Sequence, residues 1–180
     1  MAEGSAPLRG IAKSLDTALR GAITRAIQQG AFRGKLSERY LLHPSGRLGV
    51  QYLLLTGLGK PSELTLDRAR KVTAEALRHL RALKAKQVAI VCHEPSWEGL
   101  GTEPLAQAIT EGALLGLYRF DTYKGKGNRS TNNEIESLTL LCSDRDAIGA
   151  LRAGIGRGQV LARATNLARD LVNEPANVLT

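Results

Sequence analysis

Aromatic residues are scarce in this chain: Phe, Trp and Tyr make up 4% of its 180 residues, with a single Trp. Single-strand nucleic-acid grooves stack bases on successive aromatic rings, so this shortage argues against such a surface. The core must instead rest on Leu, Ala, Val and Ile. Cysteine is as rare. Cys92 and Cys142 stand far apart inside apolar runs, which excludes a disulfide framework and Cys-x-x-Cys motifs and fits reduced core thiols in a cytosolic setting. No apolar run is long enough to span a bilayer, and the first residues lack the basic and apolar regions of a secretory leader. The expectation is a soluble, cytoplasmic protein with no membrane partner.

Catalytic patterns are missing as well. No nucleophile-elbow motif occurs, and Cys92-His93-Glu94 is a poor metal site, because neighbours on a strand point to opposite faces and no second ligand pair stands at zinc-like spacing. His43 and His79 do not supply one. The turn Gly57-Leu58-Gly59-Lys60-Pro61 follows an apolar run as a phosphate loop does, but it lacks the third Gly of a dinucleotide fingerprint and the Gly-Lys-Ser/Thr of a nucleotide loop. It reads as a strand-to-helix turn. No residue is therefore assigned a catalytic or metal-binding role, and no cofactor is expected in this chain.

What is present is enough for one domain with a real core. Residues 1–10 are small and polar and read as a loose start. Leu15, Ala18, Leu19, Ala22, Ile23, Ala26 and Ile27 recur at helical spacing and predict one helix over 12–29, ended at Gly30. Tyr40 to His43 and Val50 to Thr56 are β-prone runs around the turn formers Pro44, Ser45 and Gly46, which predicts a hairpin. The second run is apolar almost throughout and suits a strand covered on both faces. Thr65 or Asp67 caps a helix whose buried stripe is Ala69, Val72, Ala76, Leu80 and Leu83. Gln87 to His93 predicts a strand, and Leu105 to Phe120 a helix whose Gly112 and Gly116 share one face and permit close approach of another backbone. Gly125 to Asn133 is a polar loop. Ile135 to Cys142 is another strand, Ser143 or Asp144 starts the final helical region, and Gly154, Gly156 and Gly158 predict a break in it. Elements in this order point to an α/β fold with helices covering a mixed or mostly parallel sheet.

Formal net charge is +8. Charge bears on partners rather than on fold, and the basic residues are dispersed, which favours solvated helix faces. The 68–86 helix is the most basic element. Arg68, Lys71, Arg78 and Arg81 on its outer face are the candidate nucleic-acid contacts, making DNA a second, weaker class of partner.

The last stretch, 159–180, has apolar residues at 160, 161, 164, 167, 168, 171 and 172, one helical face made to be buried. Pro175 stops that helix near Asn173, and Asn177 to Thr180 reads as a connector. The string Asn-Leu-Ala-Arg-Asp-Leu-Val-Asn-Glu-Pro-Ala-Asn-Val-Leu-Thr at 166–180 resembles the interdomain segment of the leucyl aminopeptidase (cytosol aminopeptidase) family, which are dinuclear-metal exopeptidases. A second stretch, Glu111-Gly112-Ala113-Leu114-Leu115-Gly116-Leu117-Tyr118-Arg119-Phe120-Asp121-Thr122-Tyr123-Lys124, is similar to the same family. Shorter likenesses lie at Gly-Ala-Phe-Arg-Gly-Lys, 30–35, and at the Gly57 turn. A strand that family members carry before the first helix is not recognisable here.

The resemblance implies a three-layer, macrodomain-like α/β domain over 11–155 and an interdomain helix with its connector over 156–180. A C-terminal catalytic domain would follow, holding two divalent metals, zinc or manganese. Its Asn-Thr-Asp-Ala-Glu-Gly-Arg metal motif has no match in this chain, which is therefore expected to be inactive alone. Leu167, Leu171, Val172, Asn173 and Pro175 become candidate interdomain packing residues. The resemblance also implies a hexamer, with this domain at the periphery contacting neighbours and limiting access. The macrodomain likeness raises a nucleotide ligand such as ADP-ribose as a third, weaker reading.

Overall fold

The computed structural model describes residues 1, 8–92, 97, 99–123 and 134–178. Two helices open the chain, α1 (Gly10–Ala18) and α2 (Ala22–Gln28), followed by strands β1 (Arg39–Leu42) and β2 (Leu53–Thr56). After a short 3-10 turn come α3 (Leu66–Ala82), β3 (Gln87–Val91), α4 (Thr102–Leu117), β4 (Ser137–Leu141) and α5 (Ile148–Asn173). The class is α/β, as expected. The described strands make two separate ladders: β1 and β2 pair antiparallel, β3 and β4 parallel.

The single helix expected over 12–29 is two. Its periodicity is real, but Arg20 and Gly21 both take positive φ, 53° and 79°, a conformation that Gly adopts at little cost. Asp16 makes the break stable, since its carboxylate accepts from the Ile23 and Thr24 N–H groups (2.8 and 3.1 Å) and from Thr24 Oγ1 (2.5 Å). These are donors that a new helix leaves unpaired. Desolvation pushes the Asp16 carboxyl up, yet the bonds from Thr24 and Ile23 and the charge of Arg25 outweigh it and hold the carboxyl below its ordinary range. A depressed carboxyl contributes stability that is present above the unfolded pKa and is lost as pH falls through the folded one. Asp16→Ala should thus cost about 1–2 kcal/mol in urea denaturation at pH 7. That deficit should shrink only below about pH 4.

The predicted hairpin forms, with Arg39 opposite Thr56 and Leu42 opposite Leu53. Leu55 joins Leu19, Ile23 and Phe32 in a small core beneath α1 and α2. Val50 lies outside the strand and is 50% exposed, so the run is shorter and less covered than its composition suggests; the strand starts only at Leu53. The Gly57 turn is closed to anions. The N–H groups of Gly57, Leu58 and Gly59 are taken by the carbonyls of Glu38, Met1 and Gly34, and a Cβ on Gly57 would lie 1.9 Å from the Lys35 carbonyl oxygen. Those three backbone donors are not free to cradle a phosphate. Of the loose start expected over 1–10, residues 2–7 lie outside the described residues; Met1 donates its amino group to Thr56 O at 2.6 Å.

Thr65 caps α3, its side chain accepting from the Arg68 N–H. Ala69, Val72, Thr73 and Leu77 are its buried positions. α3 packs on α4 through the small face expected there. A Cβ at Gly112 would lie 2.4 Å from Arg70 O, and one at Gly116 2.5 Å from Ala74 Cβ. Inside the contact Arg70 Nε meets the buried Glu111 carboxylate at 2.5 Å, and Gln107 donates to the other carboxylate oxygen at 2.7 Å. A buried charge needs such partners.

No break occurs in α5, a correction to the reading of its glycines. Gly154 and Gly158 instead let the helix lie close on α4: added Cβ atoms would come within 2.2 Å of Glu103 O and 2.8 Å of Gln107 O. The tertiary contact outweighs a propensity penalty of about 1 kcal/mol per Gly. The helix also starts later than Ser143 or Asp144, because Asp144 turns its carboxylate onto the Asp146 N–H at 2.9 Å and Ala147 takes the N-cap position. The larger core joins Ala69 of α3, Leu105, Ala106, Ala108 and Ile109 of α4 and Leu151 of α5 with Cys92 at the end of β3. His93, Glu94 and the 125–133 loop lie outside the described residues.

Candidate interdomain junction

A helix leaves its last carbonyls without partners, and α4 ends in a place where side chains from two other helices supply them. Arg81 of α3 donates to Leu117 O at 2.9 Å. Asn166 and Arg169 of α5 donate to Leu114 O and Leu115 O, each at 3.2 Å. Cationic guanidinium groups suit the negative end of a helix dipole.

Immediately after α4 the chain turns onto α5. Tyr118 donates its hydroxyl to Asp170 Oδ1 at 2.8 Å, accepts from Asn173 Nδ2 at 3.3 Å, and lies under the Arg169 guanidinium, 5.4 Å from the ring centroid. Tyr123 donates to the Glu174 carboxylate. Desolvation raises the Tyr118 phenol, and the Asp170 carboxylate that accepts its hydrogen bond raises it further. The Tyr123 phenol is raised first by its bond to Glu174. Both remain neutral donors. Tyr118→Phe should therefore lower the denaturation midpoint in a denaturant titration through loss of one part-buried hydrogen bond.

The two stretches quoted for their family resemblance thus touch each other: residues 114–123 clasp residues 166–174. Sequence reading named neither Tyr118 nor Asn166, Arg169, Asp170 or Glu174 as site residues. The signal was available, since all five sit inside those two stretches, but pairing across about fifty residues is invisible to periodicity.

α5 presents opposite faces to its surroundings. The inner one is made of Leu151, Gly154, Gly158 and Ala162, all buried. The apolar face read from 160, 161, 167, 171 and 172 does not pack on this domain: Val160 is 68%, Leu167 60% and Val172 85% exposed. Leu161 and Leu171 are exposed beside them. Fully burying a side chain of this kind contributes about 1.5–3 kcal/mol, so the face is a strip with much to gain from a cover. Of the other packing residues predicted, Asn173 is occupied with Tyr118 and with Arg169 O at 2.7 Å, and Pro175 follows a Glu174 in extended geometry that ends the helix.

The four basic candidates on α3 are divided. Arg68 is bound to Glu63 at 2.8 Å and Arg81 to the end of α4, whereas Lys71 and Arg78 are exposed. Among the described residues no three of His, Cys, Asp and Glu gather as a metal site. No described helix is long and apolar enough to cross a membrane.

The sequence profile of the cytosol aminopeptidase family, N-terminal domain, matches residues 3–127. The chain belongs to the cytosol aminopeptidase family. It is 38% identical over 178 residues to a probable cytosol aminopeptidase of Alkaliphilus oremlandii, covering 99% of this chain and 35% of that protein. A probable cytosol aminopeptidase of Roseiflexus castenholzii is 43% identical over 154 residues, 86% of this chain and 31% of that one. The chain thus spans about a third of the length of the cytosol aminopeptidases it matches. Among solved structures, the bottromycin maturation enzyme BotP superposes with a TM-score of 0.71 at 26% identity, over all of this chain and 33% of that one. A tomato leucine aminopeptidase mutant gives 0.72 at 24% identity, over 93% and 32% of the two chains, and supports the fold. The profile describes an N-terminal domain, and the fold is similar to that of about a third of a leucine aminopeptidase chain.

Proposed function

We propose that this chain is the non-catalytic N-terminal domain of an aminopeptidase that removes N-terminal residues from peptides in the cytoplasm. The observation that carries the proposal is the uncovered apolar face of α5, leading through Pro175 into a connector, in a chain one third the length of its relatives. In this reading residues 11–155 form the domain and 156–180 the arm that joins it to a catalytic domain. Leu167, Leu171 and Val172 pack against that domain, and Tyr118 and Tyr123 fix the arm's exit. Hydrolysis belongs to the absent partner. Two-metal hydrolysis needs carboxylates converging on a pair of ions, and the described residues of this chain do not fit that need. The manganese complex of the related BotP agrees with divalent metals in the parent enzyme. The domain itself would serve assembly into a hexamer and control of access.

Translating the encoding sequence beyond Thr180 should give a continuation carrying the metal motif; an immediate stop codon would sink the proposal. The 180-residue chain should release no p-nitroaniline from leucyl p-nitroanilide with added manganese, while the continued protein should. Robust turnover by the short chain would refute the assignment of a non-catalytic role.

A further inference from the structure

Cys92 and Cys142 are far apart in sequence, and β3 and β4 bring them together. The parallel register ends at Val91 opposite Leu141. One rung further, the Cys92 N–H donates to Leu141 O at 3.0 Å, the bond that places residue 92 opposite residue 142 in a parallel ladder. Opposed residues point to the same face, and both thiols pack on the same core cluster. Neighbouring strands lie about 4.8 Å apart, inside the roughly 4.4–6.8 Å range of Cα separations that a disulfide bridges. The two thiols differ in setting. Cys92 is 2% exposed and donates to Leu141 O at 3.1 Å. Cys142 is only half-buried and donates to Asp144 O at 3.2 Å, where the chain has left the ladder and turned. Burial, and then the neighbouring Cys142, push the Cys92 thiol up to about 11.

We propose that Cys92 and Cys142 form a peroxide-sensitive dithiol, in which Cys142 is oxidised first and Cys92 then closes a disulfide across the ends of β3 and β4. The Cys142 thiolate attacks one oxygen of hydrogen peroxide, the O–O bond breaks, and the hydroxide released takes a proton to leave as water, giving a sulfenic acid. The Cys92 sulfur attacks that sulfenic sulfur; its own proton and the departing hydroxide leave as a second water, and the S–S bond forms. Two thiols and one peroxide thus give one disulfide and two waters. Cys142 is the peroxide target because it is the accessible thiol, and Cys92 resolves because the ladder holds it opposite Cys142. The bridge ties the strand leading to α4 to the strand leading to α5, the two helices clasped at the junction.

Treating the chain with a small excess of hydrogen peroxide and measuring intact mass and free thiols tests this. The expected result is loss of both thiols with a mass decrease of about 2 Da, reversed by dithiothreitol. A peptide linking residues 92 and 142 should appear after digestion, and the oxidised chain should melt about 5 °C higher. In Cys92→Ala the product should instead be a sulfenic acid at Cys142, trapped by dimedone. In Cys142→Ser, Cys92 should stay free. Wild-type protein that keeps a free Cys92 while Cys142 advances to the sulfinic acid, or that bridges only between molecules on a non-reducing gel, overturns the proposal without reference to either variant.

Discussion

Gly154→Val should lower the melting temperature by roughly 10 °C. A Cβ at this position would stand 2.2 Å from the Glu103 carbonyl oxygen and 2.9 Å from Ala106 Cβ. Neither the backbone of α4 nor a buried Ala can step aside, so α5 must lift off α4. Overpacking of this kind costs about 3 kcal/mol, and in a protein of this size each kcal/mol moves the midpoint by about 2–4 °C. Gly112→Ala, which sets a methyl 2.4 Å from Arg70 O, should have a similar effect through α3. Gly156 is the internal control. It lies in the same helix turn with nothing within 4 Å of an added Cβ, so Gly156→Ala should raise stability by about 0.5–1 kcal/mol through helix propensity alone. Thermal melts followed by circular dichroism separate the cases. Equal behaviour of the 154 and 156 variants would mean that the α4–α5 contact is not as close as described.

The second large effect depends on context. Leu167→Asp combined with Leu171→Asp should cost the 180-residue chain only about 1–2 kcal/mol, the lost helix propensity and the carboxylates near a helix C-terminus, because both side chains are at least half exposed. In the continued protein the same pair should be severe. Two buried apolar contacts of about 1.5–3 kcal/mol each would be replaced by carboxylates facing an apolar cover. Loss of activity, faster proteolysis at the connector and separate melting of the two domains are the expected readouts. An unchanged continued protein would show that this face is not the interdomain contact.

These two predictions mark where the sequence was legible and where it was not. Periodicity located each of the larger helices, Thr65 or Asp67 announced a cap that Thr65 forms, and Pro44-Ser45-Gly46 announced a hairpin that pairs in register. Gly112 and Gly116 were legible as a surface for a neighbouring backbone because they repeat at four residues on an apolar helix. Gly154 and Gly158 repeat in the same way, yet read as a weakness, because Gly156 between them and the polar surroundings hid the face they share. Nothing in the apolar period over 12–29 marks Asp16; only the turn at Arg20 and Gly21 makes it a cap. An apolar stripe on α5 was plain from the sequence, but hydrophobicity states that a face must be covered and not by what. The small residues on its other side had already met α4. Similarly, the clasp of Tyr118 on Asp170 could not be read from either stretch alone, since a hydrogen bond across the fold leaves no period in the sequence.

α5 runs unbroken for 26 residues, about 39 Å at 1.5 Å per residue. It is seated at its base by small residues on α4 and held near its tip by the tyrosines. Such a rod acts as a lever: a tilt of about 5° at the seat moves the far end by about 3 Å over that length. Whatever is joined to the tip is therefore aimed by glycines several turns away, and a substitution mild enough to spare the fold could still point the arm in the wrong direction.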